Sequence, residues 1–293
     1  MKLRTIGAAC ASVFFVTGYQ AVAQDTGLPK VLRIYREEVK QGKDAAHEKA
    51  EANFARVAAK YKSPVYYLGC NVVAGPSEAW FFEAHDSFKT IQAYEDLREK
   101  NPAMKADISG AESMDGELRV NSTTLVAVLR PDLSYRIDQF SKDLPKSRYF
   151  NLTIVRIHPY TDVRFAEIGR QVVAAYDKAN IDMPNATYQV VSGGPVGMYL
   201  LFQPMTSLEA MDSMRERSAA LMQAAGGMDK MMAMYKNTAE VITGMQTMLL
   251  QFNPTMSYVG QDIADQDPAF WKPKHVMTSK PAAKPPEKSG AGQ

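Results

Sequence analysis

Arg33, Tyr35 and Glu37 occupy alternate positions of one short run, and Asn151 and Thr153 occupy alternate positions of another. A period of two puts the members of each set on one face of a β-strand. An arginine, a tyrosine and an asparagine converging in a closed space would orient a carboxylate or a polarised carbonyl. The competing reading is that Arg33 pairs with Glu37, or that the strand ends are wet. Adjacent acids such as Glu37 and Glu38 point to opposite faces of a strand and so cannot act as a dyad.

The histidines are His47, His85, His158 and His275, and no two are spaced to share a metal; no metal site is expected. His47 lies early in an expected helix and reads as solvent-facing. His85 precedes the second helix, and His158 precedes Pro159 at a strand end. The run from Met228 to Met234 is rich in thioethers, which are soft ligands for Cu(I) and also flexible core fillers. Met211 and Met214 align with Ile91 and Tyr94 of an earlier segment, which favours packing. Cys70 sits in an apolar run and reads as a small buried hydrophobe. Gly193-Gly194-Pro195 is turn chemistry rather than a phosphate cradle.

These residues fall within an internal duplication. Leu129-Arg130-Pro131-Asp132-Leu133-Ser134-Tyr135 matches Phe252-Asn253-Pro254-Thr255-Met256-Ser257-Tyr258, and each follows a β-branched or threonine-rich stretch. A second match sets Val73-Ala74-Gly75-Pro76 against Ser192-Gly193-Gly194-Pro195, each between two strand-like runs. Strands are expected at Val31 to Val39 and Tyr149 to Ile157, where Leu32 and Ile34 align with Phe150 and Leu152. Helices follow from about Asp44 to Tyr61 and Asp162 to Ala179, then hairpins over 65–83 and 187–202. A second helix is capped by Asp86 or Thr206. Its buried face aligns as Phe88, Ile91 and Tyr94 with Leu208, Met211 and Met214. A further helical stretch (102–114; 227–238) leads to the last strand.

The order β-α-β-β-α-β is the ferredoxin-like unit. One such sheet carries helices on a single face and must bury the other. Two tandem copies solve this by pressing sheet against sheet. The fold class is therefore α+β, a tandem duplication of a ferredoxin-like βαββαβ unit forming an intrachain pseudo-dimeric α+β barrel. The reading sets Leu32, Ile34, Phe150 and Leu152 against the helices. That places Arg33, Tyr35, Glu37, Asn151 and Thr153 in the lumen between the sheets.

Element order and doubling resemble the dimeric α+β barrel superfamily, which includes antibiotic-biosynthesis-type and haem-degrading monooxygenases and NIPSNAP-like proteins. The resemblance covers about Val31 to Tyr258. It implies a ligand in the lumen and, as an alternative, a monooxygenase-like or haem-binding activity. It carries no motif that assigns a catalytic residue.

The ends complete the expectation. Lys2 and Arg4, an apolar run from Ile6 to about Val16, and Ala21-Val22-Ala23 read as a signal peptide over residues 1–23. The mature chain is expected to be exported, periplasmic or secreted, in a bacterium. Residues 31–135 and 149–258 are the two repeats, and 136–148 the linker. Residues 259–293 form an extension whose tail, rich in lysine and proline, should be disordered. The formal charge of +2 includes that basic tail, so the body is mildly acidic and carries no footprint for nucleic acid. The partners expected are a small apolar or amphipathic molecule and, through self-association, a second chain. No membrane span is expected.

Overall fold

The computed structural model describes residues 27–272; the expected signal peptide over 1–23 and the tail from Pro273 lie outside the described residues. The first unit runs β1 (Val31–Val39), α1 (Asp44–Lys60), β2 (Tyr67–Ala74), β3 (Glu78–His85), α2 (Phe88–Glu99), α3 (Pro102–Gly116) and β4 (Arg119–Leu129). A connecting helix, α4 (Ile137–Asp143), leads to the second. That unit runs β5 (Tyr149–Ile157), α5 (Asp162–Lys178), β6 (Ala186–Ser192), β7 (Met198–Met205), α6 (Met214–Ala224), α7 (Met228–Ala239) and β8 (Ile242–Phe252). Two short helices, α8 (Gln261–Ala264) and α9 (Pro268–Trp271), follow.

Local chemistry accounts for several boundaries. The Ser87 hydroxyl accepts the Thr90 N–H while the Thr90 hydroxyl accepts the Ser87 N–H, a reciprocal cap for α2. The cap is thus Ser87 rather than Asp86. Phe88, expected on the buried face, is 55% exposed, and only Ile91 and Tyr94 of that set are half-buried. In the second unit the equivalent helix is broken. A 3₁₀ turn over Leu208–Met211 follows Ser207 with no side-chain cap and precedes α6. The Asn101 side chain accepts the Met104 N–H, and Pro102 opens α3, where its missing N–H costs nothing.

The strands close into one barrel in the order β1-β3-β2-β8-β5-β7-β6-β4. Each unit thus contributes the same internal order, β4-β1-β3-β2 and β8-β5-β7-β6. Antiparallel ladders β2–β8 and β4–β6 join them, which completes the expected tandem α+β barrel. The repeated Ser-Tyr segments are the crossovers. The Ser134 hydroxyl accepts the Thr187 N–H and Tyr135 bridges to Asn185. Reciprocally, the Ser257 hydroxyl accepts the Gly69 N–H and Tyr258 bridges to Tyr67. Each unit is completed by the end of the other.

The barrel interior is filled. Leu32, Ile34, Cys70, Trp80, Phe82, Leu125, Phe150, Leu152, Tyr188, Leu200, Phe202, Leu250 and Phe252 belong to one buried cluster that draws on every strand. Phe82 of β3 and Phe202 of β7 are not neighbours around the barrel, yet their rings meet edge-on with centroids 5.2 Å apart. Phe150 lies 5.3 Å from Phe202 and 4.6 Å from Phe252. Burying each such side chain is worth about 1.5–3 kcal/mol. Next to these rings, α4 and the segment after β8 cover the core. Phe140 stacks on Phe150, and buried Trp271 packs on Phe252 while its indole N–H donates to the Pro145 carbonyl at 2.7 Å.

This corrects the assignment of faces. Leu32, Ile34, Phe150 and Leu152 point into the barrel, and Arg33, Tyr35, Glu37, Asn151 and Thr153 point outward under the helices. The physical reason is that only apolar side chains can fill a closed interior, where nothing would pair a buried charge. The helix layer brings counter-charges of its own. No described helix is long and apolar enough to cross a membrane.

Candidate functional site

Between the sheet of the first unit and its helices lies a cavity of about 390 Å³. Tyr35 and Glu37 of β1, Tyr67 of β2, and Phe81 and Glu83 of β3 form its floor. Phe54, Val57 and Ala58 of α1, Tyr94 and Arg98 of α2, and Met104 and Ile108 of α3 form its roof. These outward strand positions alternate with the barrel core, so one set of strands serves both. The Tyr67 hydroxyl is shut off from solvent and has no hydrogen-bond partner. Burial, reinforced by the charge of Glu51, holds that phenol well above its ordinary pKa, so it stays a neutral donor.

Charged groups line two sides. On one, the Arg33 guanidinium donates from Nε to Glu83 at 2.8 Å and reaches Glu95 of α2, between the rings of Tyr35 and Tyr94. Burial opposes its charge, but Glu83 and Glu95 hold its pKa above the usual arginine value. His85 is buried against Glu83 and the Thr90 hydroxyl. Burial, with Glu83 adding, raises the Tyr35 phenol.

On the other side Glu37, His47, Glu51 and Asp115 form a buried cluster. His47 Nε2 lies 3.0 Å from Glu37 Oε2 and 3.3 Å from Asp115 Oδ1. Arg119, at the start of β4, contacts Glu37 Oε1 and places Nε 2.7 Å from Asp115 Oδ2. Burial, then the charges of Glu37 and Asp115, pushes the Glu51 carboxyl up to about 10. Asp115 is raised by burial and by Glu37. His47, expected at the surface, is 1% exposed. It projects from the first turn of α1 toward the sheet.

Arg33, Tyr35 and Glu37 thus share one side of the sheet, and Tyr35 and Glu37 line the cavity itself. Asn151 and Thr153 do not join them. They line a separate pocket of about 240 Å³ in the second unit, with Tyr176, Gln203, Met211 and Arg217. Nor does Arg33 pair with Glu37; each has partners of its own.

The duplication supplies a comparison within the molecule. β1 and β5 are equally long, as are α1 and α5, so Glu37, His47 and Glu51 correspond to Val155, Phe165 and Gly169. Counting from Leu133 and Met256, Asp115 and Arg119 correspond to Thr238 and Ile242. Val155, Phe165 and Ile242 belong to an apolar cluster with Leu133 and Tyr199. Leu133 fills the space above Gly169: a Cβ there would lie 2.7 Å from its Cδ2. A hydrophobic plug therefore satisfies the fold at this position, and the first unit has charges there instead. The signal was present in sequence as His47-x-x-x-Glu51, two potential donors one helical turn apart. A search confined to histidine pairs and cysteines passes over it.

Haem, which the resemblance implies, fits these residues poorly. No histidine lines the cavity among the described residues. His47 and His85 are both buried against carboxylates, His158 is exposed just beyond β5 and lines neither pocket, and His275 lies outside the described residues.

No protein-family model matches the sequence, and a comparison with curated proteins returns no match. Among solved structures, the chain is similar to an anthrone oxidase-like protein at 9% identity and a TM-score of 0.49, over 80% of this chain and 96% of that one. It is also similar to a chlorite dismutase variant from Candidatus Nitrospira defluvii at 10% identity and a TM-score of 0.46, over 81% of this chain and 95% of that one. Similarity at this level assigns no residue a role.

Proposed function

We propose that the chain is an exported small-molecule-binding protein whose site is the sheet–helix cavity of the first unit. The ligand class is a compact aromatic or alicyclic molecule carrying a hydroxyl or carbonyl oxygen. One observation carries the reading: Tyr67, whose buried hydroxyl has no partner, lines a space that Phe54, Val57, Phe81, Met104 and Ile108 share with the charged groups of Glu37, Glu51, Glu83 and Arg98. An unsatisfied buried polar group costs about 1–3 kcal/mol, and a ligand oxygen would recover it. An apolar wall with polar groups converging on it is the usual form of a small-molecule site. This puts the ligand outside the barrel, under the helices, rather than between the sheets.

Binding of 2-naphthol, a bicyclic phenol of suitable size, tests the reading by its fluorescence. Saturable binding at one site is expected. It should be lost in Ala58→Phe, which fills the cavity, and kept in Thr153→Phe, which fills the second unit's pocket. Binding that survives Ala58→Phe would put the site elsewhere. Haemin titration of the same protein should give no stoichiometric Soret shift.

A further inference from the structure

On the wall of the cavity, Glu37 from β1, His47 and Glu51 from successive turns of α1, and Asp115 from the last turn of α3 each offer one donor atom within 4.8 Å of the others. We propose that these four residues bind one divalent transition-metal ion. The proposal goes beyond the ligand reading and does not depend on an organic molecule being bound.

Four features support it. The first is spacing. A metal about 2.1 Å from each donor holds its ligands no more than about 4.2 Å apart. Lying within 4.8 Å of one another, the present donors need to close by no more than about 0.6 Å to meet that limit. The second is burial. Asp115 is 0% exposed; Arg119 Nε pairs with its Oδ2 at 2.7 Å, while its Oδ1 makes no hydrogen bond of acceptable geometry and lies 3.3 Å from His47 Nε2. A buried carboxylate oxygen left in that condition favours a second cation.

The third is the division of labour around Arg119. It engages Glu37 Oε1 and Asp115 Oδ2, leaving Glu37 Oε2 and Asp115 Oδ1 turned toward His47 Nε2. These two oxygens and the ring nitrogen thus face one another, while the guanidinium orients the carboxylates from outside, as groups behind metal ligands do. A divalent ion would share with Arg119 the charge that Glu37 and Asp115 bring. The fourth is the internal comparison. Val155, Phe165 and Gly169 show that no charge is required there for the fold to form. Glu37 and Glu51 also line the cavity, so the ion would keep one side open to it.

Three oxygens and one imidazole nitrogen suit Mn(II), Fe(II), Co(II) or Zn(II). The all-oxygen shells preferred by Ca(II) and Mg(II) differ. The test is calorimetric titration of the full, untagged, chelator-stripped chain with each of these four ions, Fe(II) without oxygen. At least one should bind at one ion per chain. Glu51→Gln and His47→Phe should each weaken it by more than about 100-fold, since loss of a supporting group alone costs 10–100-fold. His47→Phe copies Phe165 and should fold. Should it not, Glu51→Gln, which keeps the side-chain shape, decides alone. Failure of all four ions to bind at one per chain overturns the proposal. So does binding that Glu51→Gln leaves unchanged. The 2-naphthol assay scores the cavity separately, so the two ideas can fail independently.

Discussion

The hydroxyl of Ser257 accepts the backbone N–H of Gly69 at 2.9 Å, across 188 positions of sequence. The end of the second unit thereby locks onto the first unit's hairpin, and Gly69 is the residue that permits the approach. A Cβ on Gly69 would lie 2.6 Å from the Met256 carbonyl oxygen. Gly69→Ala should cost about 1–3 kcal/mol through overpacking. Ser257→Ala leaves a buried N–H without its acceptor and should cost about 1–3 kcal/mol. Urea unfolding monitored by circular dichroism measures both.

Two glycines with positive φ should differ sharply. Gly193, at φ +82°, turns the second hairpin, and a Cβ there would sit 1.9 Å from the Thr124 carbonyl oxygen. Gly42, at φ +73°, has open space around it. Gly42→Ala should cost about 1 kcal/mol, the backbone penalty alone. Gly193→Ala must also push β4 away and should cost about 3 kcal/mol or more. Equal losses in thermal unfolding would deny the close approach of the hairpin to β4.

Within the buried cluster, two substitutions should have opposite consequences. With its pKa pushed up to about 10, Glu51 is neutral at pH 7 in the metal-free chain. Glu51→Gln should therefore leave metal-free stability within about 1 kcal/mol of the parent. Arg119 is the one cation holding both Glu37 and Asp115 among the described contacts. Arg119→Met strands those charges and should cost about 3 kcal/mol. Chemical unfolding in the presence of chelator separates the two.

An acid limb belongs to Asp132. Partial burial works against its charge, but the Arg130 guanidinium, donating to both carboxylate oxygens at 2.9 Å, holds its pKa below the usual aspartate value. A depressed folded-state pKa gives stability that is complete above the unfolded value, about 3.9. That stability is lost as pH falls through the folded one. Asp132 is 40% exposed, so the pair contributes no more than about 1 kcal/mol. Arg130→Gln should be less stable than the parent at pH 7, with the difference shrinking below about pH 4. A difference that stays constant with pH would assign the loss to packing.

The duplication was legible because its evidence is local. The Pro-Asp-Leu-Ser-Tyr and Pro-Thr-Met-Ser-Tyr segments and the Gly-Pro turns recur, and β1 and β5 fall on the expected bounds, Val31–Val39 and Tyr149–Ile157. Which face of those strands meets the helices was not legible. Alternation separates Leu32 and Ile34 from Arg33, Tyr35 and Glu37, but both faces of this sheet are covered, so period two alone cannot say by what. The buried cluster was hidden for a different reason. Glu37, Glu51 and Asp115 look like surface acids until α1 and α3 pack together over β1, and only the second copy's Val155 and Phe165 reveal that the position is interior.

Adjacent residues of β1 put the placement of the two faces to the test. Ile34 is fully buried inside the barrel, among side chains from both units. Ile34→Ala should cost about 2–5 kcal/mol, because close-packed neighbours relax only partly into the space. It should leave 2-naphthol affinity within about twofold when measured well below the unfolding temperature, since no cavity wall is touched. Tyr35→Phe removes a hydroxyl at the cavity and should do the reverse, with a small change in stability and a measurable change in affinity. The two readouts, unfolding free energy and ligand titration, need to separate cleanly. If Ile34→Ala weakened binding while Tyr35→Phe did not, the ligand would belong inside the barrel, where Phe82, Phe150 and Phe202 now leave it no room.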